Sequence, residues 1–149
     1  MNMSSVRMCA MSADAEIAYR VAQLNAATTE HMRPLLDELG LTGACANLLW
    51  LAEGEGDARG PQPLRQLAGQ LGCDPSNVTL IAGRLEETGL ARRVPAPDDR
   101  RVRILELTER GREVRAALLD RAAGLPGVAA LDDAERAQLA ALLARVTGA

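Results

Sequence analysis

Ser76, Asn77 and Thr79 stand just after an Asp74-Pro75 pair. Asp is a strong helix N-cap and Pro fits the first helical position, so these short polar side chains fall at the start of a helix. That placement suits close approach to base edges in a DNA major groove. An Asn amide can pair with adenine through both of its polar groups, and a Thr methyl can touch a thymine methyl. A helix N-terminus also favours a phosphate. Ser and Asn are equally ordinary helix-start residues, so context must decide between base reading and simple capping.

Part of that context lies downstream. Pro95-Ala96-Pro97-Asp98-Asp99-Arg100-Arg101 is rich in turn formers and charge, and it separates two short apolar runs, Leu90–Val94 and Val102–Leu107. The runs read as two strands with imperfect alternation, joined into a hairpin. Arg100, Arg101 and Arg103 would then lie at or near its tip. The negative potential of a minor groove attracts guanidinium groups, most strongly where A-tracts narrow it.

The elements that must hold these groups follow from apolar spacing and punctuation. Ile17, Val21, Leu24, Met32, Leu35 and Leu39 follow helical spacing with a gap at Thr28, which predicts one long helix from about Ala13 to Leu39. Pro34 should kink it or begin a second segment, and Gly40 should end it. Thr42 is an N-cap for a helix carrying Cys45, Leu48, Leu49 and Ala52. Gly54–Pro63 reads as a loop. Leu64–Leu71 is a two-turn helix, Gly72-Cys73 a tight turn, and the Asp74-Pro75 helix runs to about Thr88, burying Val78, Ile81, Ala82 and Leu85. These two short helices make a helix-turn-helix unit. Thr108 caps a helix toward Ala123, Gly124–Gly127 breaks it, and Asp132 with Glu135 forms a capping box for a last helix with Leu139, Leu142, Leu143 and Val146. The fold class is mainly α with a small β-hairpin wing.

Composition agrees. Of 149 residues none is Phe, one is Trp and one is Tyr, so the apolar content is aliphatic and favours helices. The net charge of -3 does not announce a nucleic-acid partner. Its distribution is more telling: residues 59–121 hold 12 Arg against 9 acids, and the remainder 5 Arg against 11 acids. Every basic residue is Arg, as a GC-rich genome would encode and as forked phosphate contacts would prefer. Cys9, Cys45 and Cys73 have no metal-like spacing, and the single His31 leaves no Ser-His or Cys-His pairing or multi-His site in prospect, so no metal, cofactor or enzyme activity is expected. His31 reads as a surface or interface residue, Trp50 as core, and Cys45 and Cys73 as small buried residues. The first dozen residues are expected to fray. With neither signal peptide nor membrane span in view, a cytoplasmic protein with no membrane partner is expected.

From about Leu41 to Glu113 the chain resembles the multiple-antibiotic-resistance regulator (MarR) family. The resemblance is carried by Leu64-x-x-Leu67-Ala68, Val78-Thr79, Leu85-Glu86-x-x-Gly89-Leu90-x-x-Arg93, Asp99-x-Arg101 and Leu107-Thr108-x-x-Gly111, in that order. It implies a winged helix-turn-helix core at 41–108 flanked by dimerisation helices at 1–40 and 109–149. It further implies a homodimer on a pseudo-palindromic operator in double-stranded DNA, usually a repressor released by a small-molecule effector. DNA contacts then fall to Ser76, Asn77, Thr79, Leu80 and Arg84 on the recognition helix, and to Asp99, Arg100, Arg101 and Arg103 on the wing. By the resemblance Arg101 enters a minor groove and Asp99 holds it in place.

Two residues depart from the pattern. Leu80 replaces a common Arg or Lys, exchanging a phosphate or guanine contact for possible contact with thymine methyls. Gly83 replaces a common polar residue, at about 1 kcal/mol relative to Ala inside a helix. One branch of the family senses hydroperoxide through a Cys near the first helix. Cys9 stands roughly there with Tyr19 ten residues on, but Ala10 replaces the usual aromatic follower, so Cys9 is expected to be inert. A thiol-based oxidant sensor, and a nonspecific DNA-binding or protein-interaction module, are the alternative readings.

Overall fold

A computed structural model describes residues 12–53 and 60–148. The elements in chain order are α1 (Ala13–Leu39), α2 (Gly43–Leu51), β1 (Gln62–Pro63), α3 (Leu64–Leu71), α4 (Pro75–Glu87), β2 (Ala91–Pro95), β3 (Arg103–Leu107), α5 (Glu109–Ala123), α6 (Pro126–Ala129) and α7 (Asp133–Thr147). The punctuation read from the sequence recurs as hydrogen bonds. Thr42 Oγ1 accepts from Cys45 N, Thr108 Oγ1 accepts from Gly111 N, and the Asp132–Glu135 capping box is complete in both directions. Gly40 closes α1 in the left-handed region at φ 64°.

Five expectations change. Of the two outcomes expected at Pro34, a kink or a new segment, the second does not occur, and α1 is one 27-residue helix. Gln62 and Pro63, read as loop, form a short strand against Leu105 and Ile104. The pairing makes a three-stranded antiparallel sheet of order β1-β3-β2. A two-residue strand has no alternation to detect; only the distant β3 defines it. Gln62 is buried there, its amide donating to Leu51 O and accepting from Gln70. The break after α5 opens a further short helix, α6, because Pro126 suits a first helical turn.

His31 is the fourth. It is an internal tie between α1 and α5: Nε2 lies 2.8 Å from Arg121 O, and Arg121 Nε donates to His31 O at 2.9 Å. A carbonyl can only accept, so the imidazole proton sits on Nε2. Trp50, expected in the core, is instead half-buried outside the buried cluster, and its carbonyl accepts from Arg115 Nε.

The core is aliphatic. Leu48 and Leu49 of α2, Leu67 of α3, Val78 and Leu85 of α4, Leu105 and Leu107 of β3 and Leu118 of α5 are closed to solvent. Terminal helix α7, by contrast, buries none of its residues. One glycine fixes how the sheet meets α5. A Cβ at Gly111 would lie 1.9 Å from Leu90 O, so only glycine lets the first turn of α5 pass that carbonyl. Gly111→Ala should therefore destabilise the protein by about 1–3 kcal/mol through forced backbone displacement. Thermal or urea unfolding checks this, and wild-type stability in the variant would contradict the close approach.

Candidate nucleic-acid interface

Helix α3, the Gly72 turn and α4 form the helix-turn-helix. Gly72 takes φ 61°, which lets the chain reverse and deliver Asp74-Pro75 as the start of α4. Asp74 occupies the N-cap position with extended backbone, but its carboxylate makes no capping hydrogen bond. Helix α4 buries Val78, Ile81, Ala82 and Leu85, and thereby turns Ser76, Asn77, Thr79, Leu80 and Arg84 outward. Ser76, Asn77 and Leu80 line an open concavity of about 780 Å³ together with Ala68, Gly69 and Gly72. Small residues on the α3 side keep it shallow. Thr79 Oγ1 donates to Pro75 O at 2.8 Å, so its hydroxyl is engaged within its own helix while its methyl remains available.

The wing is the β2–β3 hairpin. Residues Ala91–Pro95 pair in register with Leu107–Arg103. Beyond the strands the hairpin stays closed: Ala96 N donates to Val102 O at 2.9 Å, and Val102 N to Asp99 O at 3.0 Å. Asp99 Oδ1 accepts from the backbone N–H of Arg101 at 2.9 Å. This is a local Asx turn. The carboxylate thus shapes the backbone that carries Arg101; among the described residues no ion pair joins it to the Arg101 guanidinium. Asp99, Arg100, Arg101 and Arg103 are all exposed.

Arginines divide into two groups. Arg92 pairs with Glu106 across the hairpin, Arg93 with Glu86, and Arg112 with Glu53. Arg84, Arg100, Arg101 and Arg103 are in no ion pair among the described residues, and neither is Arg65 on the exposed face of α3. The first group ties elements together; the second leaves its charge toward solvent.

Sequence reasoning passed over one tertiary contact, the clamp between α4 and the wing. Glu86 Oε1 accepts from Arg93 N at 2.8 Å, and Oε2 from Arg93 Nε at 2.5 Å. The two residues were legible as parts of a motif, but nothing in their spacing of seven announces that helix and strand meet there. Arg65 and Glu87, both exposed on the same unit, were also missed, having no distinguishing neighbour in sequence. Cys45 is buried and Cys73 half-buried. The redox reading of Cys9 lies outside the described residues.

Comparison with known proteins places this geometry. The model of the MarR family matches residues 57–102. No curated protein matches the chain. The crystal structure of CouR from Rhodococcus jostii bound to p-coumaroyl-CoA is similar at a TM-score of 0.77 and 24% identity, over 93% of this chain and 96% of that one. NadR in complex with 4-hydroxyphenylacetate is similar at 0.77 and 24%, over 94% and 98%. The transcriptional repressor CouR bound to a 23-mer DNA duplex is similar at 0.71 and 28%, over 96% and 99%.

The arginine beside Glu86 holds its carboxyl below the ordinary carboxylate range through their side-chain hydrogen bond, against a smaller opposing push from burial. A depressed folded value means that the bond stabilises the fold above the unfolded carboxylate pKa. That contribution is lost as pH falls through the folded value. Glu86→Gln should lower stability at neutral pH and flatten the acid limb of a stability-against-pH curve. Urea unfolding at several pH values checks this, and parallel curves for the two proteins would contradict the clamp. Motif order, family-model match and near-full-length fold likeness converge: this chain has a winged helix-turn-helix fold like that of MarR-family regulators, and its residues 57–102 match the model of that family.

Proposed function

We propose that this protein is a sequence-specific DNA-binding transcription regulator that acts as a homodimer on a pseudo-palindromic operator, as a repressor released by a small-molecule effector. The carrying observation is the division of the arginines. Those on the recognition helix and wing tip are exposed and without ion pairs, whereas those at element junctions are paired. Unpaired guanidinium groups on a winged helix suit phosphate and groove contacts, at no cost of breaking internal bridges. The DNA-bound CouR structure supports the nucleic-acid partner, and the ligands held by CouR and NadR support an effector.

In this reading Ser76, Asn77, Thr79 and Leu80 face bases, Arg84 and Arg65 face phosphates, and Arg100, Arg101 and Arg103 serve the wing. Arg101 enters the minor groove, and Asp99 positions it through the backbone bond. The regions 1–40 and 109–149 serve dimerisation around the core at 41–108. Exposed apolar residues support that division. Ile17, Tyr19 and Val21 lie outward on α1, and Leu142 and Val146 on α7, with Val146 73% exposed. Helix α7 buries none of its residues in the single chain, and a helix of this length gains most of its stability from packing, so a partner surface would stabilise it. An open groove of about 410 Å³ between α1 and α6, lined by Leu24, Ala27, Leu125 and Pro126, offers apolar surface to a second copy.

Selection from a random duplex pool tests the function. A steep sequence preference is expected, and uniform binding to every duplex would favour a nonspecific DNA coat. On the selected operator, Arg101→Ala should weaken binding strongly, most where A·T-rich flanks narrow the groove, with unchanged melting. Asp99→Ala should reproduce part of that loss, and the double variant should be no worse than Arg101→Ala alone. Tighter binding by Asp99→Ala would show that the acid only repels phosphate.

Leu142→Asp with Val146→Asp should convert dimer to monomer and abolish operator binding. Neither residue is buried in the single chain, so its core is spared. Sedimentation alongside operator affinity reads both effects, and a monomer that still binds its operator would overturn the dimer.

A further inference from the structure

The outward ridge of α4 has an unusual chemistry. Ser76, Leu80, Gly83 and Glu87 are spaced four, three and four residues apart, so they lie in one row opposite the buried Val78, Ile81, Ala82 and Leu85. Leu80 at the middle of that row is 60% exposed. One exposed leucine is ordinary on a protein surface.

Gly83, its neighbour on the ridge, is not ordinary. Its backbone is helical, and a Cβ built there meets nothing within 4 Å. The fold itself therefore gives no steric reason for glycine, in the helix interior where glycine is least favourable. A helix surface that lacks a side chain beside an exposed aliphatic one leaves room for close approach from outside the chain.

The chemistry of the row points to what fills it. Glu87 at its far end repels phosphate, so the row faces base edges, where a carboxylate can accept from a cytosine amino group. The apolar group that a base edge presents in the major groove is the thymine C5-methyl. Residues 80 and 83 lie about 4.5 Å apart along the helix axis, comparable to the ~3.4 Å step between base pairs.

We propose that Leu80 and the uncovered backbone at Gly83 form an apolar saddle that reads thymine methyls on neighbouring base pairs in each half-site. This inference rests on the regulator reading above and assigns its specificity to two residues. Leucine supplies the contact surface, and glycine lets the helix come close enough to use it.

The test replaces each thymine of the selected operator, one at a time, by deoxyuridine, which removes only the methyl. One or two positions per half-site should lose about fourfold in affinity, the value of one buried methyl group. Leu80→Ala should bind the thymine and deoxyuridine duplexes alike at those positions. Gly83→Ala should melt at the same or a higher temperature than wild type yet bind the operator more weakly, which a purely structural glycine would not do. The saddle is overturned if no deoxyuridine substitution matters, if Leu80→Ala keeps the full thymine preference, or if Gly83→Ala binds as wild type. Should a steep operator be selected and lose affinity with Arg101→Ala while deoxyuridine stays neutral, only this inference fails. Should no operator be selected, the regulator reading fails with it.

Discussion

A recognition helix is useful only if its exit is held, and here that exit is a knot of hydrogen bonds around Gly89 and Leu90. Leu90 N donates to Leu85 O at 2.8 Å, closing α4, while Leu90 O accepts from Thr108 N at 3.0 Å. Thr108 Oγ1 donates to Gly89 O at 2.8 Å and accepts from Gly111 N at 3.0 Å. Four elements meet there: α4 leaves, β2 begins, β3 ends and α5 starts. Each bond alone is worth about 1 kcal/mol, but together they leave the wing little freedom to swing against the helix. The space is so tight that Gly111 is the residue that fits.

The Glu86–Arg93 clamp extends the same constraint one turn back along α4 and two residues along β2. It acts on backbone and side chain at once, since Glu86 takes both the N–H and the guanidinium of Arg93. A partly exposed ion pair by itself would contribute little. One that also satisfies a strand's N–H fixes how α4 and β2 meet. The wing tip is held by different means: Asp99 shapes its turn locally, and Pro95 and Pro97 restrict its backbone. Rigidity at the base with charge at the tip suits a group that must find a groove without a large ordering cost.

Large exposed hydrophobic side chains fall in two regions. Leu80 and Val102 lie on the helix-turn-helix and wing; Ile17, Tyr19, Val21, Leu142 and Val146 lie on the terminal helices. Between those two regions the chain is tied internally, by the aliphatic core and by the reciprocal His31–Arg121 bonds that fasten α1 to α5. That fastening links α1 to the helix that follows the wing.

Helix starts and stops were legible in the residues themselves. Thr42, Thr108 and Asp132 cap because a short side-chain oxygen reaches an unsatisfied N–H three residues on, and Gly40 and Gly72 stop helices because they accept positive φ. These are interactions within a few residues, so local sequence specifies them. The hairpin was legible for the same reason, and the order of motifs revealed the winged helix. What tertiary structure decided were contacts between residues distant in the chain. Strand β1 exists only because β3 offers it a ladder, and His31, read as a surface or interface residue, is a tie to Arg121, 90 positions away. The division between structural and free arginines required knowing which carboxylates fold beside them. Charge and residue type are written in the sequence, but pairing depends on distances of a few ångströms that only the packed chain sets.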